Sequence, residues 1–130
     1  MESYIIEGIS DKRVIKSSLS VMLMHMLKLK YQNEYSNKIS WINTIRTSFA
    51  NLVDSFKGIG KGTLYNLFYM RQLDLNEIYK RAVRDASFET GLPIESFPKT
   101  CEWTKEQLTD LDFIYDFIKE YSKDIDLKPF

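Results

Sequence analysis

At 130 residues, 44% hydrophobic and 14% aromatic, the chain is long enough for one domain with a real core and too apolar to be disordered. Eighteen Lys/Arg balance eighteen Asp/Glu, so a net charge of zero excludes a global pull toward nucleic acid or anionic lipid. One cysteine, Cys101, and one histidine, His25, exclude an intrachain disulfide and a four-ligand Cys/His zinc site.

The first predicted element is "SDKRVIKSSLSVMLMHMLKLKY", with Ser10 as its N-cap. Val14, Ile15, Leu19, Met22, Met26 and Leu29 recur at spacings of three and four. Polar residues occupy the opposite side until about Ser20. Beyond it Val21, Leu23, Met24 and Leu27 make the helix apolar nearly all round, which predicts an exposed start and a central end. "YQNEYSNK" is a polar connection. "SWINTIRTSFANLVDSFKG" predicts a second helix, capped by Ser40 and ended by Gly58, with Trp41, Ile45, Phe49, Leu52 and Phe56 inward.

A third helix is expected from Thr63, carrying Leu64, Leu67, Phe68, Ile78, Tyr79, Ala82 and Ala86, with a kink or break near Asp74. Gly91 and Pro93 end it, with Leu92 folding back toward Ala86. Phe97 and Trp103 anchor a proline-bounded loop to the core. Thr104 and Gln107 form a capping box for a last helical region, split into two pieces around "DLD". Its stripe is Leu108, Leu111, Ile114, Ile118 and Tyr121. No segment alternates with period two, so no sheet is expected.

The two halves of the chain differ in charge. Residues 1–62 hold nine Lys/Arg against five Asp/Glu, a net of +4, and residues 63–130 hold nine against thirteen, a net of −4. Opposite halves can attract, which points to self-association, or can simply be solvated faces. No signal peptide is expected, because residues 1–16 lack an uninterrupted apolar segment. No run approaches the ~20 apolar residues that span a bilayer. A soluble protein of a reducing cytoplasm is the resulting expectation, with no membrane partner.

Chemical candidates are few. "KGIGKGT" resembles a phosphate-binding loop, but Gly62 separates Lys61 from Thr63 and the position for the first glycine is Ser55. Cys101 with His25 as base would make a nucleophilic pair only if the fold joins them. His25 with Glu34 or Glu89 is the remaining metal or hydrolase candidate. Lys12, Arg13, Lys16, Lys28, Lys30, Lys38 and Arg46 could contact phosphates, with Tyr31 and Trp41 as stacking groups. His25 lies among apolar residues, so a buried imidazole bonded to a neighbouring helix or to the 89–104 loop is expected.

"HMLKLKYQNEYSNKISWINTI" and "YKRAVRDASFETGLPIESFPKTCEWTKEQL" resemble the signature of a bacterial family called domain of unknown function 29. The first matches through His25, Lys28, Tyr31, Gln32, Ser40, Trp41, Thr44 and Ile45. The second matches from Tyr79 and Ala82 through Glu89, Gly91, Pro93, Phe97, Cys101 and Trp103 to Gln107. "IEGISDKRVIKSSLSVML" resembles the family's lead-in helix. The resemblance covers about residues 5 to 113. Glu7-Gly8 stands where the family has two glutamates, and "GIGKGT" where it tends to have a Pro-Ser turn. Members usually carry a further N-terminal segment, after which this chain is expected to begin, and residues 114–130 extend past the usual end. The resemblance implies an all-α cytosolic protein and no reaction.

The expectation is an all-α bundle of four to five helices around Leu19, Met22, Met26, Ile45, Phe49, Leu52, Phe68, Tyr79, Ala82 and Leu108. The candidate binding or structural cluster is His25, Lys28, Tyr31, Trp41, Arg46 and Glu89. No catalytic residue, metal or cofactor is assigned. The functional expectation is a non-enzymatic interaction or regulatory module with a protein partner or a second copy. The alternatives are a nucleic-acid-binding module or a hydrolase using His25.

Overall fold

The computed structural model describes residues 2–32, 37–59 and 73–123, the side chains of 2–12 and 56–59 excepted. They form five α-helices: α1 (Glu2–Tyr31), α2 (Lys38–Ile59), α3 (Leu75–Thr90), α4 (Lys105–Leu108) and α5 (Leu111–Glu120). A 3-10 turn spans Ile94–Ser96. No strand occurs among the described residues.

α1 is the central element. Its 30 residues reach about 45 Å at 1.5 Å per residue, and α2 and α3 both pack along it. From Leu19 to Leu29 it is apolar nearly all round, and Leu19, Met22, Leu23, Met26 and Leu27 have no exposed surface. A helix buried on several sides needs such a sequence, because each face meets another element rather than water. α2 contributes Trp41, Ile42, Ile45, Phe49 and Leu52, and α3 contributes Ile78, Tyr79, Ala82, Val83 and Ala86. Every residue of the expected core that is described is buried, while Phe68 lies outside the described residues.

Several boundaries differ from expectation. Ser10 is not an N-cap, because α1 is already helical from Glu2. Ser40 likewise lies inside α2, where its carbonyl accepts the Thr44 hydroxyl at 3.0 Å. Gly58 does not end α2, which runs to Ile59. Serine costs little inside a helix, and glycine about 1 kcal/mol, so continued helix can override both signals. Val14, placed in the inward stripe, is exposed, whereas Ser18 and Ser20 are buried. The expected start of a third helix at Thr63, its Leu64, Leu67 and Phe68, the side chain of Phe56 and most of "YQNEYSNK" lie outside the described residues.

Other signals hold. α3 begins afresh at Leu75, with the Asp74 carboxylate accepting the Glu77 amide. Gly91 ends it at φ 78°, in the left-handed region, with its amide donating to the Ser87 carbonyl. The Thr90 hydroxyl donates to the Ala86 carbonyl at 2.7 Å, and the Ser87 hydroxyl to the Leu92 carbonyl at 2.6 Å. Thr104 and Gln107 make both halves of the capping box. Asp110 then caps α5 separately, so the last helical region is split in two. The split turns Leu111 outward and Phe117 inward, against Trp103 in an edge-to-face contact at 5.5 Å.

Candidate functional site

The last two turns of α1 carry His25, Lys28 and Tyr31 at intervals of three, which places them along one side of the helix. α2 begins beside this side with Trp41, and α3 ends beside it with Glu89. Lys28 is the centre of the arrangement. Its side chain is only 6% exposed, its Nζ donates to Glu89 Oε1 at 3.0 Å, and it stands 5.5 Å from the centroid of the Trp41 ring. The ammonium therefore exchanges water for a carboxylate and an aromatic face. Lying in the last turn of α1, it also complements the negative end of the helix dipole.

His25 is half-buried, and its Nδ1–H donates to the Val21 carbonyl at 2.8 Å. A carbonyl can only accept, so the proton sits on Nδ1 and the neutral ring keeps Nε2 as an acceptor. Burial lowers its pKa below 6.5. The Val21 bond opposes this, Lys28 reinforces it, and Glu89 opposes it. The expected partner on a neighbouring helix or the 89–104 loop is thus replaced by the backbone of α1 itself.

Those longer-range contacts belong to the next residues. Lys30 Nζ donates to Glu102 Oε2 at 2.6 Å, and the Tyr31 hydroxyl donates to Glu102 Oε1 at 3.2 Å. Lys30 also lies 5.8 Å from the Trp103 ring centroid, and Tyr31 meets Phe97 edge to face at 5.7 Å. The hydrogen bond that Lys30 donates to Glu102 holds the Lys30 pKa up, and burial pushes that of Tyr31 up. Tyr79, buried on α3, donates its hydroxyl to the Pro98 carbonyl at 2.7 Å, and burial raises its pKa strongly. The loop from Phe97 to Trp103 is thereby tied to α1 and α3.

Of the six expected cluster residues, His25, Lys28, Trp41 and Glu89 come together. Tyr31 joins Glu102 instead, a residue outside the expected set. Arg46, five residues beyond Trp41 on α2, is half-buried and has interactions of its own. Cys101 does not meet His25. Its neighbours are the Trp103 backbone and Glu102, and burial raises its pKa, which keeps the thiol protonated. Glu34 lies outside the described residues. Among those described, no group of three or more His, Cys, Asp or Glu residues is placed to hold a metal ion. Ser55, at the first glycine position of the loop motif, is helical and donates to the Asn51 carbonyl, while Gly60–Thr63 lie outside the described residues.

Clefts open elsewhere, and three of them are lined without His25. One of about 800 Å³ lies between α1 and α2, lined by hydroxyl and amide side chains such as Ser18, Asn43, Thr47 and Ser48. A second, of about 490 Å³, lies between α3 and the 94–99 segment. Tyr79, Val83, Ile94 and Phe97 supply its apolar lining, and Lys80, Arg84, Lys99 and the acidic Glu95 its charges, three basic against one acidic. A third, of about 520 Å³, lies between α1 and the outer side of α3. Arg84 lies about one turn beyond both Lys80 and Arg81 on the exposed side of α3. That pattern is present in the sequence, but only the fold shows what it borders.

A match to the family "domain of unknown function DUF29" spans residues 6–114. The chain belongs to the DUF29 family. The matched region takes in α1 to α4, the loop anchors and the start of α5, so the Lys28–Glu89 and Lys30–Glu102 joints both lie within the DUF29 domain. No curated protein and no solved structure matches the chain. Among the described residues, no helix is long and apolar enough to cross a membrane.

Proposed function

We propose that the chain is a non-enzymatic protein-interaction module of the cytoplasm that associates with itself. The observation that carries this reading is the apolar cleft of α3 with its basic edge. Its lining of Tyr79, Val83, Ile94 and Phe97 suits large apolar side chains, and Lys80, Arg84 and Lys99 suit carboxylates around them. Phe88, 89% exposed and one turn beyond Arg84, extends the apolar edge. The complementary surface is on the same chain. α5 turns Leu111, 50% exposed, and Tyr115 outward, with the acidic Asp112 and Asp116 beside them. α5 of one copy in the α3 cleft of another would pair apolar with apolar and acidic with basic. A two-fold arrangement would fill both clefts at once.

The nucleic-acid reading finds less support. Lys28 and Lys30 are engaged by Glu89 and Glu102, and Trp41 is buried rather than offered for stacking. A hydrolase reading finds less support too, because the Glu89 carboxylate beside His25 is paired with Lys28 and His25 lines none of the three clefts.

Light scattering on the full chain at ~50 mM and ~500 mM salt tests the proposal. The expected result is a dimer that weakens with salt and is lost in Leu111→Lys. Mixing Lys99→Glu with Asp112→Lys should restore association that each variant alone lacks. A strict monomer at both salt concentrations overturns the reading.

A further inference from the structure

The third cleft, between α1 and the outer side of α3, has a different chemistry. Lys16 of α1 and Lys80, Arg81 and Arg84 of α3 line it. None of these four cations makes an ion pair with a described residue. Two carboxylates also border it. Asp74 accepts the Glu77 amide at the start of α3, and Asp74 and Glu77 together leave four positive groups facing two negative ones. Like charges gathered on one helix face repel, and such a face is most stable when an anion sits among them.

A second observation lies one turn from Lys16. Ser20 lines the same cleft, is only 5% exposed, and its hydroxyl makes no hydrogen bond to a described residue. A buried hydroxyl left without a partner is unfavourable, and protein interiors rarely leave one so. A partner arriving through the cleft would resolve it. The hydroxyl can donate to an oxygen anion while arginine guanidinium groups grip the other oxygens in pairs.

We propose that this cleft binds the terminal phosphate of a small organic phosphate. Ser20 donates to one phosphate oxygen, Arg81 and Arg84 hold the others, and Lys16 and Lys80 balance the charge. A space of about 520 Å³ suits a nucleotide-sized molecule, with Ile78 as apolar floor. The site goes beyond the docking reading and uses Lys16, Ser20 and Arg81, which do not line the apolar cleft.

Calorimetric titration of the full chain with inorganic pyrophosphate, with adenosine monophosphate and with a 12-nucleotide single strand tests it. Both small phosphates should bind at low salt. Arg81→Gln and Ser20→Ala should each weaken binding about tenfold, and Lys99→Gln, outside the cleft, should leave it unchanged. Ser20→Ala should leave the melting temperature of the ligand-free protein unchanged or raised, because it removes an unpartnered hydroxyl. Failure of both small phosphates to bind overturns the proposal. So does binding that Lys99→Gln weakens as much as Arg81→Gln, since the charge effect is then diffuse. Binding of the oligonucleotide alone also overturns it, because the basic face then tracks a polyanion backbone. Lys80 and Arg84 border both clefts, but Ser20 and Arg81 line only this one and Lys99 only the other, so these variants with light scattering as a separate readout distinguish loss of phosphate binding from loss of self-association.

Discussion

Removing an ammonium group from water costs several kcal/mol unless its surroundings replace the water. Lys28 meets that requirement with Glu89 and the Trp41 ring, but the two partners of the ion pair are not equivalent. Glu89 is 46% exposed and keeps part of its hydration, whereas Lys28 is 6% exposed. Glu89→Ala strands a buried charge and should destabilise by about 1–3 kcal/mol. Lys28→Met keeps the buried stem and removes the charge, so it should cost less than about 1 kcal/mol. Urea denaturation of the two variants checks this, and equal losses would mean that the pair is not asymmetric. His25 gives a pH dependence. Burial holds its folded pKa below the 6.5 of the unfolded chain, so on acidification the unfolded state takes the proton first. The stability involved is complete above pH 6.5 and is lost as pH falls through the folded value. His25→Gln should therefore lose less stability than the unmodified protein between pH 7.5 and 5, and an unchanged difference would contradict the burial argument. The sequence placed His25 in the most apolar part of α1, which was enough to expect a buried imidazole, and the structure leaves it half-buried. It could not identify Val21 as the partner, because a bond from a ring to the carbonyl one turn back leaves the spacing of apolar residues unchanged.

Among elements, the readable signals were those whose chemistry is local and strong. The Thr104–Gln107 box and the Gly91–Pro93 stop depend on residues within a few positions of each other. Gly91 allows a direct test. Its φ of 78° is unfavourable for a residue with a Cβ, yet apart from Gly91 itself and its two chain neighbours no atom lies within 4 Å of where a Cβ would stand. Gly91→Ala should therefore cost about 1–2 kcal/mol from the backbone alone, and Gly91→Asn less, as thermal unfolding would show. A much larger loss in Gly91→Ala would indicate crowding instead. Ser10, Ser40 and Gly58 misled for the complementary reason: each permits a helix end without requiring one. The stripe of the last helical region failed at one place only. A continuous helix would turn Leu111 inward after Leu108, but the break at Thr109 and Asp110 resets the rotation, and Ile114, Phe117, Ile118 and Tyr121 face the core. Two turn residues are enough to shift a stripe, and periodicity cannot resolve so short a change of phase.

For the molecule as a whole, a long apolar segment predicted a central helix, and the absence of period-two alternation predicted an all-helical fold. Both follow from patterns distributed over many residues, which is why isolated errors at caps left them intact. The clefts were not legible, because each is lined from elements far apart in sequence: Lys16 and Ser20 with Arg81, and Val83 with Phe97 and Lys99. Charge asymmetry was readable as a total, but its two ends are not two faces. Lys28 and Lys30, from the basic half, are spent on Glu89 and Glu102 of the acidic half, while the basic edge of the docking cleft comes from α3 in the acidic half. Part of the attraction expected between halves therefore acts within one molecule, and the proposed association between molecules would rest on the smaller surfaces of α3 and α5.

The joints at the end of α1 also set an order of events. Glu89 follows Lys28 by 61 residues and Glu102 follows Lys30 by 72. On a ribosome adding about 5–20 residues per second, the apolar end of α1 would wait roughly 3–14 seconds for these partners. During that interval its apolar surface has no α3 to cover it and Lys28 has no carboxylate from that helix. The nascent chain is most vulnerable to aggregation then, and the closing of the two ion pairs marks the end of that exposure.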